Sequence, residues 1–149
     1  FVDRARRSAT GQATSAIGAR LAGGDPIVLF GEGTTSDGNK TLPYRSALIG
    51  AAQAIDGEAG ALIQPVVVAY PNRNGMPVGR AGRNAIAWHG DMDLAPHLWA
   101  LLGGGTIEAV VIWGEPRDAG SGADRKRLAA ELADWARTAY ASAIHGLIE

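Results

Sequence analysis

A short apolar run that empties into a glycine-rich turn constrains this chain more than any other feature. Residues 26–30, Pro-Ile-Val-Leu-Phe, are too apolar and too short for anything but a core strand. The turn follows at once as Gly31-Glu32-Gly33-Thr34-Thr35-Ser36-Asp37-Gly38. Gly31, Gly33 and Gly38 let the backbone take positive φ and approach a ligand closely. Glu32 is then expected at the strand's carboxyl end, with the hydroxyls of Thr34, Thr35 and Ser36 beside it.

Around this run the pattern alternates helix and strand. Residues 8–21 read as a small-residue helix stopped by Gly23-Gly24, residues 46–55 as a second helix, and residues 61–70 as a valine-rich core strand. Residues 71–82 mix prolines, asparagines and arginines without periodicity, which predicts a loop or irregular hairpin arm leading into a short strand over 84–88. Asp93 is placed to cap a helix over 94–102, which Gly103-Gly104-Gly105 ends. The apolar side of that helix, Trp99 included, is expected in the core rather than against lipid. A third core strand spans 107–113. In the last helix, 124–142, Leu128, Leu132, Trp135 and Ala139 share one stripe. The predicted class is α/β, a mostly parallel mixed sheet covered by helices, in a single domain over 1–149.

Composition narrows the chemistry. An apolar share of 46% in 149 residues suffices for a hydrophobic core and argues against disorder. With no cysteine, thiol catalysis and thiolate metal sites are excluded, and a reducing compartment is the default. The net charge of −1 makes no case for nucleic acid, but the sign is uneven. Residues 1–83 hold nine Lys/Arg against six Asp/Glu, and the rest five against nine, so the first part is the side suited to an anionic substrate or lipid surface. No apolar run is long enough to cross a bilayer. The chain opens on Phe1-Val2-Asp3-Arg4 rather than methionine, as expected of a piece of a longer protein.

Three familiar chemistries fit poorly. Residues 33–41, Gly-Thr-Thr-Ser-Asp-Gly-Asn-Lys-Thr, approach a phosphate-binding P-loop, but Asn39 separates the second glycine from Lys40, and Pro43 interrupts the helix that should open there. His89, Asp91, Asp93 and His97 lie close in sequence without the helical spacing of a metal-binding pair, so a non-metal role is expected. His145, after an apolar helix, reads as a helix-end surface residue. No Gly-x-Ser-x-Gly elbow exists, and Ser121 follows a loop.

Residues 30–36, Phe-Gly-Glu-Gly-Thr-Thr-Ser, resemble the Phe-Pro-Glu-Gly-Thr-Arg-Ser motif of the glycerolipid acyltransferases that acylate lysophosphatidic acid. Phe1-Val2-Asp3-Arg4 is similar to that family's Gly-x-x-Phe-x-x-Arg block without its glycine. Leu42-Pro43-Tyr44-Arg45-Ser46 resembles the aromatic-basic step after the turn, and Ile63-Gln64-Pro65-Val66 the block in which a strand is entered through proline. Trp88-His89-Gly90-Asp91 and Pro96-His97-Leu98-Trp99 are similar to stretches of bacterial members, so the likeness spans most of the chain in order.

The resemblance implies transfer of a fatty acyl group from acyl-CoA or acyl-carrier protein to the free hydroxyl of lysophosphatidic acid at the cytoplasmic face of a membrane, with no cofactor and no metal. It implies acceptor contacts at Arg4, Glu32, Gly33, Thr34, Thr35, Ser36 and Arg45. Arg4 would hold the phosphate through its planar guanidinium. In the family a His-x4-Asp motif upstream of the Phe-x-x-Arg block supplies the base. No histidine here has aspartate five residues later, so the chain is expected to hold acceptor without turning it over. Gly31 replaces the family proline, which should loosen the turn. Thr35 replaces an arginine, which leaves Arg45, Lys40, Arg6 or Arg7 to compensate or makes the acceptor less anionic, as in relatives that acylate lyso-ornithine lipid. The other readings are a non-catalytic module for a phosphate or lipid headgroup and a P-loop-like nucleotide binder.

Overall fold

The computed structural model describes residues 9–53, 61–120 and 122–147. They form helices and short strand pairs in two compact units, each assembled from separate stretches of chain.

The first unit joins segments ending at Gly33, Gln64 and Leu132. Helix α1 (Ala9–Ala22) stops at Gly24, whose φ of 84 only glycine takes without strain, while Gly23 N–H donates to the Ala19 carbonyl. Helix α2 (Ser46–Ile49) tightens into a 3-10 turn over Gly50–Gln53, so residues 46–53 follow the helical expectation and 54–55 lie outside the described residues. Strand β1 (Leu62–Ile63) pairs antiparallel with β6 (Arg117–Asp118). Ile49, Ala52, Ala119, Leu128, Ala129 and Leu132 form the core here, with Leu21, Tyr44, Ala61 and Ile63 packed against it. Helix α5 (Arg125–Ile144) supplies the last three of that core set from one stripe. Asp124 starts it by accepting from the N–H groups of Lys126 and Arg127 at 2.8 and 3.4 Å.

The second unit holds Thr34–Leu42, Pro65–Gly114 and Ala133–Glu149. Strand β2 (Val66–Ala69) pairs antiparallel with β5 (Val110–Trp113), Val66 opposite Trp113 and Ala69 opposite Val110. Val67 and Ala69 are buried on one face of this ribbon, whereas Val66, Val68, Val111 and Trp113 are exposed on the other. Strands β3 (Asn72–Arg73) and β4 (Met76–Pro77) make a hairpin through Asn74-Gly75, both at positive φ (51 and 75), the signature of a type I′ turn. Arg73 fastens the hairpin by donating from Nε and a terminal nitrogen to the Gly104 carbonyl.

Several expectations are corrected. Every strand pair among the described residues is antiparallel, so the parallel sheet is not what they form. The run 61–70 is two strands with different partners, because Pro65 lacks the N–H that would carry one ladder through. Residues 27–30 have no regular secondary structure and pair with no strand among the described residues, and Val28 and Phe30 are 85% and 81% exposed. Burial alternates along the run, with Ile27 and Leu29 half-buried between exposed neighbours. Residues 84–88 are not a strand. Helix α3 (Arg80–Ile86) occupies most of them and buries Ile86, with Gly82 leaving room for Val78, whose Cγ1 would lie 2.8 Å from an added Cβ. Helix α4 (Leu94–Leu102) forms as predicted but has no buried residue. Asp93 sits at its N-cap without a side-chain capping bond.

Candidate functional site

In the first unit the glycine turn is built against the aromatic-basic step that follows it. Gly33 N–H donates to the Phe30 carbonyl at 3.0 Å and Arg45 N–H to the Gly31 carbonyl at 2.8 Å, which fold the two segments onto each other. The ring of Tyr44 lies over Gly31, where an added Cβ would meet its carbons at 2.9 Å. Arg45 lies over Gly33, where a Cβ would meet Arg45 Cδ at 2.7 Å, and its Nε donates to the Glu32 carbonyl at 3.2 Å. Gly33 takes a φ of 65, so two independent constraints require glycine there. Gly31 therefore does more than loosen the turn: it makes room for Tyr44. Burial, reinforced by the nearby Glu32 carboxylate, pushes the Tyr44 hydroxyl above its ordinary 10.0. Sequence reasoning left Tyr44 out of the site, although its place next to Arg45 was the available signal.

In the second unit the chain continues through Thr34, Thr35 and Ser36 into a tight polar turn. Ser36 Oγ donates to the Lys40 carbonyl at 3.2 Å, and Gly38 takes a φ of 73 under Ala87 and Arg83. Asp37 accepts from the Asn39 N–H at 3.1 Å and from Asn39 Nδ2 at 3.0 Å, one bond on each carboxylate oxygen. These two bonds, with smaller help from His89 and Arg80, hold its carboxyl below the ordinary 3.8. Arg83 donates to Asn39 Oδ1 at 3.3 Å and to the Val78 carbonyl at 2.6 Å, and the Tyr140 hydroxyl donates to the Gly38 carbonyl. The turn thus has two hydrogen-bonded anchors outside itself, Arg83 and Tyr140. Beside it lies an open cavity of about 360 Å³, lined by Asp37, Lys40, Arg80, Arg83 and His145 among others.

The expected site residues are therefore divided between the two units. Glu32, Gly33 and Arg45 come together in the first unit, while Thr34, Thr35 and Ser36 belong to the second. Arg4, with Arg6 and Arg7, lies outside the described residues, as does Ser121. His89 shares a hydrogen bond with Asn84 Oδ1 at 2.7 Å and His97 with the Ile86 carbonyl at 3.1 Å, so each ring has a local partner. No group of three or more His, Asp or Glu placed to hold a metal occurs among the described residues.

The chain is 46% identical over 149 residues to a lyso-ornithine lipid O-acyltransferase of Brucella abortus, covering 98% of this chain and 56% of that protein. It is 42% identical over 131 residues to a lyso-ornithine lipid O-acyltransferase of Rhizobium meliloti, covering 86% of this chain and 45% of that protein. The chain belongs to the glycerolipid acyltransferase family. A further relative of the same description, from Pseudomonas aeruginosa, is 34% identical over 125 residues. The chain spans about half the length of these curated relatives. No family profile and no solved structure matches it. As an acyltransferase-family chain it carries the Glu-Gly-Thr turn intact, with Thr35 standing where the motif has arginine.

Proposed function

We propose that this chain is the acceptor-holding part of an enzyme that transfers a fatty acyl group to the free hydroxyl of lyso-ornithine lipid. The observation that carries the reading is its 46% identity, over nearly the whole chain, to a protein of that description. Thr35 points the same way, since an acceptor without a phosphate needs one cation fewer than lysophosphatidic acid does.

In the proposed reaction the acceptor hydroxyl attacks the thioester carbonyl of acyl-CoA or acyl-carrier protein. The new ester forms, the thiol leaves, and the hydroxyl proton passes to a base. No histidine of this chain has aspartate five residues later, so that base is supplied by residues outside the sequence given. Glu32, held near Tyr44 and Arg45, orients acceptor hydroxyls. Arg4 and Arg45 provide cationic contacts, and the exposed apolar helix α4 meets the membrane surface in which the acceptor resides.

The test is to express the complete open reading frame and supply an acyl thioester with either lyso-ornithine lipid or lysophosphatidic acid. Acylation of lyso-ornithine lipid with little of the phosphate acceptor is expected, and Thr35→Arg should shift the ratio toward lysophosphatidic acid. Exclusive use of lysophosphatidic acid would overturn the reading. The 149-residue chain alone should release no thiol from either mixture.

A further inference from the structure

We infer that the cavity beside the Asp37–Lys40 turn is a headgroup site for a zwitterion: the carboxylate and the ammonium of an ornithine joined to its lipid through one amine. This deepens the acceptor assignment and rests on it for the identity of the lipid. The charges that line the cavity are of both signs and differ in how far they are already committed. Arg83 gives two of its five N–H donors to Asn39 and Val78 and so serves in part as scaffold. Lys40 and Arg80 make no side-chain hydrogen bond or ion pair among the described residues, so their donors are available to a carboxylate.

Asp37 lines the same cavity, and its two oxygens each accept one bond from Asn39. A carboxylate oxygen has a second lone pair, so the fixed carboxylate can still accept from an ammonium. A site for a phosphate dianion would gather cations and keep carboxylates off its wall, because an anion facing an anion is penalised. An ornithine attached through one amine keeps one carboxylate and one ammonium, which answers the two signs together. His145 and the apolar Ile144 also line it, and the volume of about 360 Å³ lies near the small end of ligand clefts.

Two measurements test the site. In the first, Nα-acetylornithine is titrated into the 149-residue chain and followed by amide shifts of Gly38, Asn39, Lys40 and Arg80, with glycerol 3-phosphate in parallel. Saturable shifts with acetylornithine are expected, lost in the Lys40→Ala/Arg80→Ala double variant. Their absence overturns the headgroup site whichever lipid the enzyme acylates. In the second, the complete enzyme is assayed with lyso-ornithine lipid. Asp37→Asn, which keeps an oxygen for the Asn39 amide, should raise KM about three- to tenfold with kcat little changed. The same substitution should lower the KM for lysophosphatidic acid, whereas a merely structural defect would weaken both acceptors alike and overturn the proposal. Loss of lyso-ornithine acylation in the wild type, with the acetylornithine shifts retained, would sink the proposed function and leave the zwitterion site standing.

Discussion

At the scale of single residues, the Glu-Gly-Thr turn is a packing device as well as a polar one. Tyr44 covers Gly31 and Arg45 covers Gly33, so the two glycines and the aromatic-basic pair are one unit separated by a polar excursion. The charge of the Glu32 carboxylate adds to burial, the larger cause, in raising the Tyr44 pKa. Glu32→Gln should therefore bring the ionisation of Tyr44 part of the way back toward 10.0 in an absorbance titration, burial retaining the remainder. The sign follows from the raised folded value: the stability linked to this tyrosine is complete below its ordinary pKa and is lost as pH rises through the folded one. An unchanged Tyr44 titration would place the carboxylate elsewhere. The turn itself was legible from sequence, because glycines at fixed offsets around a carboxylate permit a tight reversal, and Gly33 takes positive φ. The stacking of Tyr44 and Arg45 was not, since it depends on a chain reversal between residues 33 and 44 that no local pattern encodes.

At the scale of elements, the helices expected over 8–21, 46–55, 94–102 and 124–142 and the strands expected within 61–70 and 107–113 have counterparts among the described residues, whereas the strands expected at 27–30 and 84–88 do not. The stripe Leu128, Leu132 and Trp135 predicted α5, and Leu128 and Leu132 are indeed buried. Leu132, 2% exposed in the core of the first unit, makes the sharpest test. Leu132→Ala should cost about 2–5 kcal/mol in denaturant unfolding, with the lower value if the site collapses around the missing atoms. A loss below about 0.5 kcal/mol would mean that this cluster is not the core. The strand expectation at 27–30 failed because a strand is defined by its partner. Residues 27–30 are as apolar as Val66–Ala69, yet only the latter have a ladder among the described residues. Residues 84–88 looked extended because Trp88 and Ile86 are strand-formers, but three small residues, Ala81, Gly82 and Ala85, let a helix pack closely instead.

At the scale of the whole chain, what is most unusual is how much apolar surface the described residues leave uncovered. On α4, Leu94, Leu98, Trp99 and Leu102 are 54%, 49%, 80% and 74% exposed, and the helix carries no Asp, Glu, Lys or Arg. Its apolarity predicted burial, yet burial in protein and contact with lipid leave the same mark on a sequence. No helix among the described residues is long and apolar enough to cross a membrane, so α4 can meet a bilayer only by lying on it. A tryptophan on such a helix suits the boundary between headgroups and acyl chains. Inserting a side chain of this size is worth about 1.5–3 kcal/mol. Trp99→Ala should therefore weaken sedimentation of the chain with phospholipid vesicles about ten- to hundredfold, and Trp99→Glu more. Exchanging exposed Trp113 on the ribbon for alanine is the matched control. Equal losses at both positions would point to general stickiness of exposed apolar surface, whereas a loss confined to Trp99 would make α4 the element through which the chain meets lipid.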